Sequence, residues 1–154
     1  MSTILLSIGS NIFAKTNIDK AKRMLTHLFP DIVFSQPILT EPDDKKYSFI
    51  FRNVLARAET DMSPGEVIDK IKQTERAVGR SPRDKYSGKV IIDIDLIQYN
   101  NNILRPGDFQ RNYVQLLLAT LQPGEKSATT NPPSAENIEG SSPNTPDIEA
   151  DPEV

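Results

Sequence analysis

Two hydrophobic periods alternate along the chain. Thr3 to Ile8 (Thr-Ile-Leu-Leu-Ser-Ile) is a short apolar run stopped by Gly9-Ser10-Asn11, the mark of a buried strand entering a loop. From Asn17 to Phe29 the apolar positions Ile18, Ala21, Leu25, Leu28 and Phe29 recur at helical spacing, with Thr16 and Asp19 placed as a capping box and Pro30 closing the helix. Ile32 to Thr40 is β-branched and aromatic, but Pro37 lacks an amide donor and predicts an edge strand or a bulge. Glu41 to Ser48 reads as a charged loop, and Phe49 to Thr60 as a long strand. Ser63-Pro64-Gly65-Glu66 is the clearest helix start. Ser63 can cap, Pro64 suits the first helical position, and Glu66 can return a bond to the cap amide. This helix continues through Val67, Ile68, Ile71 and Val78 and ends at Gly79, a natural left-handed terminator. After a basic loop, Val90 to Tyr99 predicts a fourth strand; residues 102–121 are less regular, with a last helix over Val114 to Leu121.

The order strand, helix, strand, strand, helix, strand predicts an α+β, ferredoxin-like fold: a four-stranded antiparallel sheet with two helices on one face. Charge divides the chain. Residues 122–154 hold seven acids against one base (Lys126) and six of the twelve prolines, which leaves 17 bases and 14 acids, net +3, in residues 1–121. The expected organisation is therefore a folded, basic domain over 1–121 and an acidic, Pro- and Ser-rich disordered tail over 122–154, too poor in large apolar side chains to offset its ordering entropy.

Composition removes several chemistries. With no cysteine there are no disulfides, thiolate metal sites or cysteine nucleophiles. His27, inside a predicted helix, is the one histidine, so neither a histidine metal cluster nor a Ser-His-Asp triad can form elsewhere. No run approaches 18 apolar residues and no signal peptide opens the chain, so a soluble, cytoplasmic protein is expected. Net +3 without an aromatic-interleaved basic stripe argues against nucleic acid.

Ile92-Asp93-Ile94-Asp95-Leu96 is the first candidate for chemistry. Alternation puts Asp93 and Asp95 on one strand face, about 7 Å apart along the chain, and the aliphatics on the other. Two close carboxylates with open positions beside them suit Mg²⁺ bridging substrate phosphates; a solvated strand face is the plain alternative. Upstream, residues 76–89 carry Arg76, Arg80, Arg83, Lys85 and Lys89 against the single acid Asp84. Bases beside a metal-competent carboxylate pair are what a polyphosphate requires, so a nucleotide site leads over an exposed basic loop answering the acidic tail.

These features occur in a familiar order. Ser7-Ile8-Gly9-Ser10-Asn11, Thr40, Phe51-Arg52-Asn53, Glu75 with Gly79-Arg80, and Asp93-Ile94-Asp95-Leu96 together resemble the 6-hydroxymethyl-7,8-dihydropterin pyrophosphokinase family of folate biosynthesis, over roughly residues 4–113. The resemblance implies transfer of pyrophosphate from ATP to the pterin hydroxymethyl, with release of AMP and two Mg²⁺ ions on Asp93 and Asp95. It implies Arg80 as a catalytic arginine on the phosphates and Glu75 near the nucleotide. Arg83, Lys85, Lys89 and Arg111 complete the expected ATP set, and Thr40, Phe51, Asn53 and Tyr113 the pterin set, with Phe51 and Tyr113 on opposite ring faces.

There are departures from the pattern. Pro106-Gly107-Asp108 stands where the family has Pro-His, Val90 where it has a second catalytic arginine, Ser87 beside Tyr86 near its loop tryptophan, and Arg111-Asn112-Tyr113 for Arg-Gly-Phe. The domain is expected to be a divergent, C-terminally shortened one, acting as a monomer on ATP and hydroxymethyldihydropterin, with no nucleic acid or membrane partner. A catalytically weak or inactive pterin- or nucleotide-binding module stays open, as does a ferredoxin-like interaction domain with an acidic partner.

Overall fold

The computed structural model describes residues 1–42, 49–82 and 87–121. Its central strand is β1 (Ser2–Ser10), flanked by β4 (Phe51–Thr60) and β5 (Asp93–Tyr99), both antiparallel to it. The expected second strand is present as two pieces, β2 (Val33–Phe34) and β3 (Ile38–Thr40), lying end to end along the free side of β4. Pro37 sits in the gap, as a residue without an amide must, and Ser35 spans it: its amide donates to the Leu55 carbonyl at 2.8 Å and its Oγ accepts from the Leu55 amide at 2.9 Å. On the other side β5 turns through Asn100, in the left-handed region at φ 53°, into β6 (Asn102–Ile103). The spatial order is β2/β3, β4, β1, β5, β6, the ferredoxin-like arrangement with a hairpin added.

Both long helices pack on one face. α1 (Ala14–Leu28) and α2 (Pro64–Val78) cover Ile4, Leu6, Ile8, Val54, Ala56, Ile94 and Leu96, forming the larger core. The opposite face is partly covered by α4 (Asn112–Ala119), whose Val114 and Leu117 pack with Leu5, Leu55 and Ile97. β1 is therefore buried on both sides. That is why Thr3 to Ile8 reads as a continuous apolar run rather than an alternating one.

α2 starts and stops as its sequence predicts. The Ser63 amide donates to Glu66 Oε1 at 2.8 Å, the Glu66 amide to Ser63 Oγ at 3.2 Å, and Gly79 ends the helix at φ 133°. α1 does not. Its N-cap is Phe13, at φ 46° and without a side-chain cap bond, so Thr16 lies within the helix and Asp19 pairs with Lys15 at 3.2 Å instead of closing a capping box. The physical reason is upstream: buried Asn17 donates its carboxamide to the Ile12 carbonyl at 2.8 Å, anchoring the turn directly onto the first helical turn. The fourth strand starts at Asp93 rather than Val90, because the amide and carbonyl of Val90 are bonded to Asn11 and Ser10. Ile97 follows Asp93 and Asp95 onto the α4 side by simple alternation, but a bulge opposite Leu5 and Leu6 then shifts the pattern, so Tyr99 faces the larger core and donates its hydroxyl to the Met62 carbonyl at 2.7 Å.

Between β6 and α4 lies α3 (Pro106–Phe109), unforeseen in the irregular stretch after residue 101. The expected tail over 122–154, and Arg83 and Lys85 of the basic loop, fall outside the described residues. No helix among the described residues is long and apolar enough to cross a membrane.

Candidate active site

Gly9 is where the site begins. In the antiparallel register it stands opposite Asn53 on β4 and Asp93 on β5, so the glycine is the floor between two side chains roughly 10 Å apart, two strand spacings. A Cβ at Gly9 would meet Asn53 Oδ1 at 3.3 Å, the Arg52 carbonyl at 3.8 Å and the Phe51 ring at 3.9 Å. The absent side chain leaves a cavity of about 150 Å³ on the sheet face away from α1 and α2. Thr40, Phe51 and Asn53 line one wall, Asp93 and Asp95 the other, and Asp108, Arg111 and Tyr113 close over them from α3 and the start of α4.

The two walls differ chemically. On the neutral side Asn53, 7% exposed, donates Nδ2 to Thr40 Oγ1 at 2.9 Å and to the Ile38 carbonyl at 3.3 Å. These bonds fix the carboxamide plane and leave its oxygen over Gly9, beside a flat Phe51 ring. Tyr113 contributes a second ring, half-buried, with the Arg111 guanidinium 5.9 Å from its centroid. A planar heterocycle with polar edges suits such a wall.

The charged side is built around Asp93 and Asp95. Arg80 Nη1 reaches Asp93 Oδ1 at 2.9 Å, Glu75 Oε2 at 3.0 Å and the Ile92 carbonyl at 3.4 Å. Glu75 accepts from the Ile94 amide at 2.6 Å and is 5% exposed. The structure thus gives Glu75 a role behind the site: it anchors both Arg80 and the carboxylate strand, and its own burial raises its carboxyl above the ordinary range despite those bonds. Asp95 is pushed up to about 7, first by burial and then by the charge of Asp93, while Arg105, at 3.9 Å, opposes the shift. Arg105 is also bonded to Asp108 through Nε at 2.5 Å.

Asp93, Asp95, Arg80, Thr40, Phe51, Asn53, Arg111 and Tyr113 are thereby brought to one cleft or its rim. Lys89 is exposed on the segment entering β5. Asp108 and Arg105 were not anticipated; their signal was an aspartate with an arginine three residues to either side, and the structure pairs Asp108 with both Arg105 and Arg111.

Among the described residues no group of three or more His, Cys, Asp or Glu gathers as a metal cage. Two hard carboxylates, their side chains 45% and 25% exposed, nonetheless fit a divalent cation that draws its other oxygens from phosphate and water. Such a cation would relieve the like-charge repulsion that, after its own partial burial, pushes the Asp95 carboxyl up.

Comparison with known proteins finds a matching family and named relatives. The family model of 7,8-dihydro-6-hydroxymethylpterin-pyrophosphokinase (HPPK) matches residues 5–123, a span that runs from within β1 through α4. The chain is 34% identical over 110 residues to 2-amino-4-hydroxy-6-hydroxymethyldihydropteridine pyrophosphokinase of Aquifex aeolicus (strain VF5), covering 68% of this chain and 66% of that protein. It is 28% identical over 132 residues to the folic acid synthesis protein FOL1 of Dictyostelium discoideum, covering 78% of this chain and 20% of that one. The chain thus spans just under two thirds of the first relative and one fifth of the second.

Proposed function

The chain belongs to the 7,8-dihydro-6-hydroxymethylpterin-pyrophosphokinase family, and from that premise we propose that it transfers the pyrophosphoryl group of ATP to 6-hydroxymethyl-7,8-dihydropterin and releases AMP. The observation that carries this reading is the two-walled cleft over Gly9: a neutral, ring-lined wall fitted to a pterin stands opposite a carboxylate pair fitted to a metal-bound triphosphate.

Each residue has a definable part. Asn53, its donor already committed to Thr40 and Ile38, presents an oxygen to N–H groups at the pterin's edge. Phe51 and Tyr113 hold the ring plane, excluding water from it. Asp93 and Asp95 would hold Mg²⁺, which when bound neutralises phosphate charge and orients the triphosphate. Arg80, Lys89 and Arg111 balance what remains of that charge; the assignment of Arg83 and Lys85 to the same set rests on the basic loop sequence alone. The pterin hydroxyl oxygen attacks the β-phosphorus, the bond from the β-phosphorus to the oxygen it shares with the α-phosphorus breaks, AMP departs with that oxygen, and the hydroxyl proton is released. No side-chain nucleophile takes part. The protein's contribution is to position two substrates and stabilise charge.

In this reading Asp95→Ala lowers AMP release by at least about a hundredfold, the order of one preorganised electrostatic contact; an unchanged rate overturns it. One observation favours a second reading, binding without turnover: Asp108 adds a third carboxylate to the charged wall and occupies Arg105, which would otherwise be available to phosphate. Calorimetric titration with a non-hydrolysable ATP analogue separates the two, since saturable binding by a protein that releases no AMP supports the module.

A further inference from the structure

We infer that Asn11 is a positioning residue for the phosphate half of the reaction, a peptide-like clamp that holds the return limb of the basic loop against the end of β1. The inference rests on the function proposed above. Asn11 is 0% exposed and does not line the cavity. Its side chain is wholly committed to the segment preceding β5: Oδ1 accepts from the Val90 amide at 2.5 Å, and Nδ2 donates to the Gly88 carbonyl at 3.0 Å. Its backbone amide donates to the Val90 carbonyl at 3.0 Å, and Ser10 Oγ adds a weaker bond to the same carbonyl at 3.3 Å.

This is the pattern of a strand pair continued by a side chain. The ladder between β1 and β5 stops at Gly9 and Asp93, and a carboxamide then supplies the donor and the acceptor that two further peptide groups would have offered. Asparagine alone among residues of this size offers both in one plane. Aspartate keeps the acceptor but faces the Gly88 carbonyl with a second oxygen, and a buried carbonyl and carboxylate in contact repel.

The chemistry follows from what the clamp holds. Gly88 sits at φ 76°, a conformation that reverses the chain and that a side chain resists. Lys89 lies between the two clamped residues, Val90 lines the cavity, and Asp93 follows three residues later. The neutral wall, Thr40, Phe51 and Asn53, hangs from β3 and β4 and shares no bond with Asn11. Loosening the clamp therefore displaces Lys89 and the approach to Asp93 and leaves the pterin wall in place, a division that a merely structural residue would not produce.

Steady-state kinetics and substrate-fluorescence titration on the full chain test this with Asn11→Asp. The expected result is a rise in KM for ATP, or a fall in kcat, totalling about tenfold or more in kcat/KM for ATP, with the pterin Kd within twofold of wild type. Wild-type ATP kinetics in the variant, or a parallel loss of pterin binding, overturns the inference. Gly88→Ala attacks the other end of the clamp and must give the same ATP-selective loss. Should neither variant fold, hydrogen exchange of the wild-type Val90 amide decides: strong protection that persists with Mg²⁺ and an ATP analogue supports the clamp, and rapid exchange overturns it. A wild-type protein that neither binds pterin nor releases AMP sinks the proposed function, whereas an active wild type with an unaffected variant sinks only the clamp.

Discussion

Asp95 is the residue at which structure adds most to composition. Two aspartates two apart on a strand are legible as a shared-face pair from alternation alone, but their unequal environments are not: Asp93 is tied to Arg80 at 2.9 Å, while Asp95 is the more buried and is pushed up to about 7. The sign of the consequence is fixed. An acid whose folded pKa lies above its ordinary value near 4 keeps its proton until about pH 7, so ionising it opposes folding progressively across that window and a bound cation reverses the cost. Metal must compete with that proton. Mg²⁺ affinity of the nucleotide-free protein is therefore predicted to be about tenfold weaker at pH 6 than at pH 8, levelling off above pH 7, as read by isothermal titration; affinity flat across that range would assign the metal elsewhere. Glu75 illustrates what sequence could not supply. The family resemblance implies a place near the nucleotide, and its bond to the Ile94 amide adds a part in bracing Arg80 and β5 from behind.

At the level of elements, the sequence was most informative where local chemistry is self-sufficient. Ser63, Pro64, Glu66 and Gly79 specify both ends of α2 without reference to the rest of the chain, and both ends form as expected. Ser63→Ala is predicted to cost about 1 kcal/mol, lowering Tm by several degrees while kcat stays unchanged, because α2 packs on the face opposite the cleft. Thermal denaturation and the AMP assay on one preparation check both halves. The local pattern misleads where a partner outside the motif decides. Thr16 and Asp19 have the right spacing for a cap, but Asn17 bound to Ile12 starts the helix earlier; Val90 has the right character for a strand, but Asn11 claims its amide first. β6 and α3 are too short to produce a periodic signal, and the bulge that redirects Tyr99 is a property of the pairing rather than of either strand.

For the whole molecule, the ferredoxin-like frame was legible because each strand and helix carries its own period, and the order of elements leaves few ways to pack them. The cleft was legible only in part. Alternation put Phe51 with Asn53 and Asp93 with Asp95, yet nothing local reveals that Gly9 stands between them in register, or that α3 and α4 bring Asp108 and Arg111 over the top. The family match reaches residue 123, so a chain ended there retains every residue placed at the cleft. Its AMP-release rate is predicted to stay within twofold of the full chain; a tenfold loss would give residues 124–154 a part in catalysis. The central claim, that one cleft seats a pterin and a triphosphate so that the β-phosphorus is attacked, is tested most directly by product analysis of purified protein with ATP, Mg²⁺ and hydroxymethyldihydropterin. AMP and pterin diphosphate in equal amounts are predicted; ADP with a pterin monophosphate, or ATP left intact, would contradict it.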